Sequence, residues 1–177
     1  NVKLQMTSEG LRIILNESEN SPASFEPGSA KLLQKSAIIL VTIARELGKL
    51  TNRMVIEGHT DRSGSNDGDY SNWELSADRA NAARRALLHG GLAPEKIGRV
   101  VGLASSVLLD PSAPESPVNR RISIVVLNKR TEEAIMSDGR EVPADEVEAV
   151  LQQGNGSRAS PPPPASRPCG PSFATTP

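Results

Sequence analysis

The sequence is poor in aromatic residues and in cysteine. Phe, Trp and Tyr make up only 2% of the 177 residues, and Cys169 is the single cysteine. So few aromatic side chains argue against the stacking platforms that bind single-stranded nucleic acid. One cysteine cannot form an intramolecular disulfide, so cysteine usage does not indicate a redox compartment. A hydrophobic content of 37% must therefore build its core from Leu, Ile, Val and Ala.

The sequence also lacks an excess of charge and a long hydrophobic run. It has 20 basic and 21 acidic residues, so its net charge of −1 offers no basic surface to a polyphosphate. We therefore expect no nucleic-acid partner. No apolar run reaches the ~20 residues that span a bilayer. Asn1 does not open a signal-peptide pattern, and we expect a fragment or processed product with any membrane anchor upstream.

Catalytic and metal-binding patterns are missing as well. His59 and His89 are the only histidines, and neither belongs to an H-E-x-x-H pattern or has a cysteine neighbour. No G-x-S-x-G nucleophile elbow occurs. Glu57 and Asp61 would lie too far apart on an extended strand to act as a carboxylate pair for glycoside hydrolysis. The sequence therefore predicts no enzyme, no metal site and no cofactor.

Hydrophobic periodicity predicts an α/β fold. Short β-branched runs are typical of strands, and longer runs with apolar residues three and four apart are typical of helices. The predicted strands are residues 11–15, 53–60, 97–103 and 121–127, and the predicted helices are 30–50 and 72–89. Strands separated by helices imply at least one crossover connection, while the last two strands could pair antiparallel. We expect a mixed sheet with two helices packed on one face.

Composition divides the chain into four segments. We expect an N-terminal flank over 1–10, the folded domain over 11–129 and a helical extension over 130–153, with short helices beginning near Thr131 and covering 143–153. Seven of the 14 prolines follow Ser160. Proline-rich sequence with little apolar content cannot build a core, so we expect residues 154–177 to be a disordered tail.

The first predicted helix has an unusually wide apolar surface. Its main stripe steps by four and three residues, and Ile38, Ile39, Val41 and Ile43 widen it. The stripe consists of Leu33, Ala37, Leu40, Ala44 and Leu47. Burial against a sheet is the favoured interpretation. The alternative is that part of this surface forms a dimer interface.

The segment 58–83 carries the strongest functional pattern. A strand ends in G-H-T-D, a Gly-rich polar loop follows, and Ser71 and Glu74 form a candidate capping box at the start of a helix. This order places Asp61 near a helix that presents Arg79, and we expect both side chains to be partly exposed. A carboxylate and a guanidinium that are not paired with each other suit a zwitterion, since Asp61 can bind an ammonium and Arg79 can bind a carboxylate through two hydrogen bonds. Otherwise Asp61 is a loop residue, and Arg79 pairs with a nearby acid or with solvent.

Three separated patterns resemble the peptidoglycan-binding OmpA-like domain. They are G-H-T-D, Asn72-x-x-Leu75-Ser76-x-x-Arg79-Ala80 and Asn119-Arg120-Arg121. The resemblance covers residues 11–129 and implies a β-α-β-α-β-β order with a mixed sheet. It also implies that the site recognises the diaminopimelate of the stem peptide. The site residues that it implies are Thr60, Asp61, Asn72, Leu75, Arg79 and Arg120.

The individual roles within this set are less defined. Asn72 either braces the loop backbone or touches ligand, and the brace is favoured. Leu75 is expected to pack the helix against the loop. Arg120 either contacts ligand or braces Asp61, and both roles are open. The loop 62–70 is longer than in many OmpA-like domains.

Two longer strings narrow the resemblance. YSNWELSADRANA and the downstream NRRISIVVLN resemble the periplasmic part of flagellar stator subunits. This implies a non-catalytic domain of a bacterial inner-membrane protein that anchors the stator to peptidoglycan. It also implies a homodimer and a MotA-type partner, bound through a transmembrane segment upstream. The alternatives are another cell-wall tether, such as a lipoprotein or an outer-membrane protein domain, and a protein–protein docking domain.

Overall fold

The structure is a computed structural model that describes residues 2–18, 23–64 and 69–137. Five strands and three helices follow one another in the chain, with short 3₁₀ turns at Pro94–Lys96 and Pro117–Asn119. They are β1 (Val2–Thr7), β2 (Gly10–Asn16), α1 (Gln34–Leu47), β3 (Met54–His59), α2 (Asn72–His89), β4 (Ile97–Gly102), β5 (Arg121–Leu127) and α3 (Lys129–Ser137). The predicted segments 143–153 and 154–177 lie outside the described residues.

The strands form one mixed sheet in the order β1-β2-β5-β3-β4. Strands β3 and β4 run parallel because α2 crosses over between them, and the other neighbours are antiparallel. The predicted mixed sheet is confirmed. The last two strands, however, do not pair, because β5 inserts between β2 and β3. All seven residues of β5 are buried, as its β-branched sequence requires at the centre of a sheet.

The N-terminal residues were expected to flank the domain, and that expectation was wrong for β1. Val2–Thr7 forms an edge strand that pairs with β2 through a tight turn. Val2, Leu4 and Met6 alternate with polar residues, which is the period of a strand. Leu4 and Met6 are 68% and 76% exposed. Because the apolar side chains of β1 are largely exposed, the strand does not belong to the core. The alternation of apolar and polar residues was therefore the one sequence signal that could have revealed it.

Helices α1 and α2 pack on one face of the sheet and bury the main core. That core contains residues from both helices and the inward faces of β2, β3 and β5, including Ile13, Leu15, Leu40, Ala44, Leu47, Met54, Ile56, Ala80, Ala83, Leu87, Ile122, Ile124 and Val126. Helix α2 lies very close to β3 at Gly58. A side chain at this position would clash with the Ser76 carbonyl oxygen, so the close approach requires glycine. Helix α3 packs Ile135 against a small cluster on the other face.

Helix α1 is shorter than the predicted 30–50. It begins after Leu33, which takes an extended conformation as the N-cap, and ends before Gly48. Leu40, Ala44 and Leu47 are buried as the stripe predicts, whereas Ile38 is 58% exposed. No helix within residues 2–18, 23–64 and 69–137 is long and apolar enough to cross a membrane.

Candidate functional site

The start of α2 fixes one wall of the site. The predicted capping box is confirmed: the Ser71 side chain accepts a hydrogen bond from the Trp73 amide at 3.2 Å, and the Glu74 carboxylate accepts one from the Ser71 amide at 2.8 Å. These bonds set the first turn of the helix. Asn72, Leu75 and Arg79 then share one face, since helical residues three and four apart are neighbours.

That face lines a cavity of about 340 Å³. The opposite walls come from the end of β2, the loop before α1, the end of β3 and the residue before β5. All six residues predicted from the sequence line this cavity, namely Thr60, Asp61, Asn72, Leu75, Arg79 and Arg120. Glu17, Phe25 and Gly28 are among the lining residues that sequence reasoning did not identify.

Asp61 is held from two sides. Its Oδ2 atom accepts a hydrogen bond from Arg120 Nη1 at 2.5 Å. Its Oδ1 atom accepts hydrogen bonds from the Ser63 hydroxyl at 2.5 Å and the Ser63 amide at 3.1 Å. Arg120 therefore braces Asp61, which was one of its two predicted roles. A carboxylate has about four acceptor positions, so Asp61 retains capacity for one further donor.

Arg79 is anchored but not paired with an acid. Its Nε donates to the Ser29 carbonyl at 2.9 Å, and its guanidinium lies 5.0 Å from the centre of the Phe25 ring. The two Nη groups have no hydrogen-bond acceptor within the part of the chain that the structure describes. The nearby acids are engaged elsewhere, since Asp78 accepts from the Tyr70 hydroxyl and Glu74 caps the helix. Burial lowers the pKa of Arg79, although the charge of Glu17 partly opposes this effect.

The sequence predicted that Asp61 and Arg79 would both be partly exposed, and this was wrong. Asp61 is 3% exposed and Arg79 is 5% exposed. The loop before α1 covers Arg79 through Ser29 and Phe25, and Arg120 covers Asp61. The two charges therefore act at the base of the cavity, where water screens them less than on the surface.

Glu17 completes the charged lining. Its Oε2 accepts from Arg120 Nε at 2.7 Å, and its Oε1 accepts from the Ser24 amide at 3.0 Å. Burial acts to lower the pKa of Arg120, but the hydrogen bonds with Glu17 and Asp61 raise it on balance. Sequence reasoning missed Glu17 because it lies in a polar loop. Its place becomes predictable once β2 pairs with β5, since Asn16 is then opposite Arg121.

Asn72, Leu75 and Thr60 complete the cavity wall. Asn72 is buried and donates from Nδ2 to the Asp61 carbonyl at 3.3 Å, in keeping with the favoured bracing role. Leu75 is half-buried and lines the cavity. The Thr60 hydroxyl is buried and has no hydrogen-bond partner among the described residues. The described residues contain no group of His, Cys, Asp and Glu side chains that could hold a metal ion.

A second set of ionisable side chains lies on the face of the sheet opposite α1 and α2. His59 is fully buried, and its Nε2 lies 3.6 Å from a carboxylate oxygen of Glu57. Burial lowers the pKa of His59, and the charges of Arg121 and Arg12 lower it further, against the opposing effect of Glu57. Burial, with the charge of Arg12, also lowers the pKa of Arg121 to about 10. The folded environment therefore disfavours the charged form of His59.

The fold and the cavity define a class of protein. Residues 24–121 match the model of the OmpA family, so the chain belongs to that family. Within it, the chain is 45% identical to Motility protein B from Escherichia coli (strain K12), over 84% of this chain and 49% of the relative. It is 37% identical to the putative truncated flagellar export/assembly protein LafU of the same strain, over 76% of this chain and 64% of the relative. The chain thus spans about half the length of Motility protein B.

Solved structures share the fold. The periplasmic domain of Helicobacter pylori MotB (residues 97–256) aligns with a TM-score of 0.62 at 19% identity, over 87% of this chain and 99% of that one. The cell wall anchor of the T6SS from Pseudomonas aeruginosa aligns with a TM-score of 0.56 at 24% identity, over 72% of this chain and 88% of that one. At these identities the likeness establishes the α/β fold.

Proposed function

We propose that this chain is a non-catalytic domain that binds peptidoglycan and anchors a flagellar motor stator to the cell wall. Membership of the OmpA family and the 45% identity to Motility protein B support this function. The observation that carries it is the cavity itself. Residues from three separated sequence patterns line one pocket that contains an acid and a guanidinium not paired with each other.

The proposed ligand is the diaminopimelate of the stem peptide. Its free end carries an ammonium and a carboxylate on one carbon, which is a zwitterion. The ammonium binds Asp61 at the acceptor position that Ser63 and Arg120 leave open. The carboxylate binds the two Nη groups of Arg79, because Nε is already engaged with Ser29. Thr60 lines the same wall of the cavity, directly before Asp61.

The proposed setting is the periplasm of a bacterium. The domain would belong to an inner-membrane protein whose transmembrane segment pairs with a MotA-type subunit. It would act as a homodimer, with the exposed Ile38 side of α1 as the candidate interface. The second candidate function is a different cell-wall tether, and the fold shared with a type VI secretion cell wall anchor favours it over a docking domain.

Co-sedimentation with purified sacculi tests the wall-binding site. Asp61→Asn and Arg79→Ala should each weaken binding by roughly tenfold to a few hundredfold, since a hydrogen bond to a charged group contributes about 1.5–3 kcal/mol. Arg79→Lys should also weaken it, because an ammonium cannot reproduce two parallel hydrogen bonds. Arg85→Ala, on the exposed side of the same helix, is the matched control.

Both target residues are buried, so circular dichroism must accompany every sedimentation. Folded Asp61→Asn and Arg79→Ala proteins that sediment as well as the parent would contradict the proposed site. If only unfolded protein is obtained, the two residues are structural braces and the interpretation as a ligand site fails.

A further inference from the structure

The charged lining of the cavity is balanced. Two acids, Glu17 and Asp61, face two arginines, Arg79 and Arg120, so these four lining groups sum to zero charge. Three of them are connected directly. Arg120 donates from Nε to Glu17 at 2.7 Å and from Nη1 to Asp61 at 2.5 Å. One guanidinium therefore bridges two buried carboxylates.

The carboxylate of Glu17 changes which ligands Asp61 can bind. If Arg120 faced Asp61 alone, their two charges would cancel, and a ligand ammonium at Asp61 would gain no net attraction from the pair. Glu17 supplies the missing negative charge on the far side of Arg120. It is itself 5% exposed, so water screens its charge weakly. The pair of acids can therefore share one arginine and still attract a further cation.

Glu17 is also fixed in place independently of any ligand. Its Oε1 accepts from the Ser24 amide at 3.0 Å, and its own amide donates to the Arg120 carbonyl at 3.2 Å. The side chain is thus tied both to the loop that covers the cavity and to the residue before β5. Such preorganisation lowers the cost of ordering the site when ligand binds.

We infer that Glu17 sets the charge selectivity of the cavity: as the counter-ion of Arg120, it keeps Asp61 available for an ammonium, so that the site takes a zwitterion in preference to a simple carboxylate. Glu17 is a positioning residue in this scheme, because it acts on the ligand through Arg120. The inference rests on the proposed function, since it concerns the same cavity and the same class of ligand.

Synthetic stem peptides test the inference. The probes are two tripeptides, L-Ala-γ-D-Glu-X, in which X is either meso-diaminopimelate or 2-aminopimelate. The second probe keeps the distal carboxylate but lacks the distal ammonium. Calorimetric titration of the full chain gives the affinity for each, and their ratio measures the preference for the zwitterion. Glu17→Gln keeps the size and the acceptor oxygen of the side chain but removes its charge.

We expect the ratio of the affinities for the two probes to change. The parent should prefer the diaminopimelate probe, and Glu17→Gln should reduce that preference by about tenfold, the loss of one charged contact. The double variant Glu17→Gln/Arg120→Gln removes Arg120 together with its counter-ion and leaves Asp61 without a paired arginine, so its preference should return towards that of the parent. Glu9→Gln, on the turn after β1, should leave the ratio unchanged.

Two results would overturn the inference. A Glu17→Gln protein that loses affinity for both probes by the same factor would show a structural role alone. A double variant that does not regain the preference would show that Glu17 does not act through Arg120, and this arm applies even if the single variant fails to fold. Failure of the proposed function gives a different pattern, in which the parent shows no preference for diaminopimelate or Asp61→Asn leaves that preference intact.

Discussion

Replacement of Arg120 by alanine should destabilise the fold through the carboxylates that it leaves behind. The Asp61 and Glu17 side chains are 4% and 7% exposed, and the Arg120 side chain is 31% exposed. Removal of one partner from a buried ion pair costs about 3–5 kcal/mol. Because Arg120 is partly solvated, we take the lower end, about 3 kcal/mol. For a domain of this size, that loss lowers the unfolding midpoint by roughly 10 °C.

The assay is urea and thermal unfolding followed by circular dichroism. Asp61→Asn added to the Arg120→Ala protein removes one uncompensated charge, so the double variant should be more stable than Arg120→Ala alone. Arg85→Ala, an exposed arginine on α2, should change the free energy of unfolding by less than about 0.5 kcal/mol. An Arg120→Ala protein within about 1 kcal/mol of the parent would refute the reasoning, as would a double variant that is less stable than the single one.

Two further predictions concern pH and association. The folded protein lowers the pKa of His59, so the stability it contributes is present above the ordinary pKa of about 6.5 and is lost as the pH falls through the lower, folded value. Unfolding curves between neutral and acid pH should therefore show a smaller loss for His59→Gln than for the parent, and equal losses would contradict this. Ile38 is exposed on α1, so Ile38→Glu should shift a dimer to monomer in analytical ultracentrifugation. A parent that is strictly monomeric from micromolar to millimolar concentration would remove α1 as the interface.

Local signals in the sequence were sufficient for α2 and the central strands. Ser71 and Glu74 define a helix start by their spacing alone, and the structure contains both hydrogen bonds of the capping box. The β-branched run of β5 requires burial, which the structure provides. These predictions succeeded because each depends on residues that are neighbours in the chain.

Contacts between distant parts of the chain could not be predicted in the same way. Glu17 and Arg120 are 103 residues apart, and they meet only because β2 pairs with β5. The burial of Arg79 depends on Ser29 and Phe25, in a loop whose path no local pattern specifies. The sequence therefore predicted six residues that line the cavity, while the other lining residues and the exposure and partners of each side chain required the fold.

The hydrogen bonds around the cavity support the proposed zwitterionic ligand. Glu17, Arg120 and Ser63 already satisfy most of the hydrogen-bonding capacity around Asp61, so that carboxylate is held in place before ligand arrives. Arg79 is different, because its Nε is bonded and its two Nη groups have no acceptor among the described residues. Arg79 lines the cavity, so its Nη groups can donate to a bound ligand. In the proposed scheme, a ligand carboxylate makes this charge-assisted contact, which contributes about 1.5–3 kcal/mol, whereas a lone ammonium does not. A lone carboxylate, in turn, leaves the remaining acceptor position of Asp61 unused, so only a zwitterion gains at both ends of the cavity.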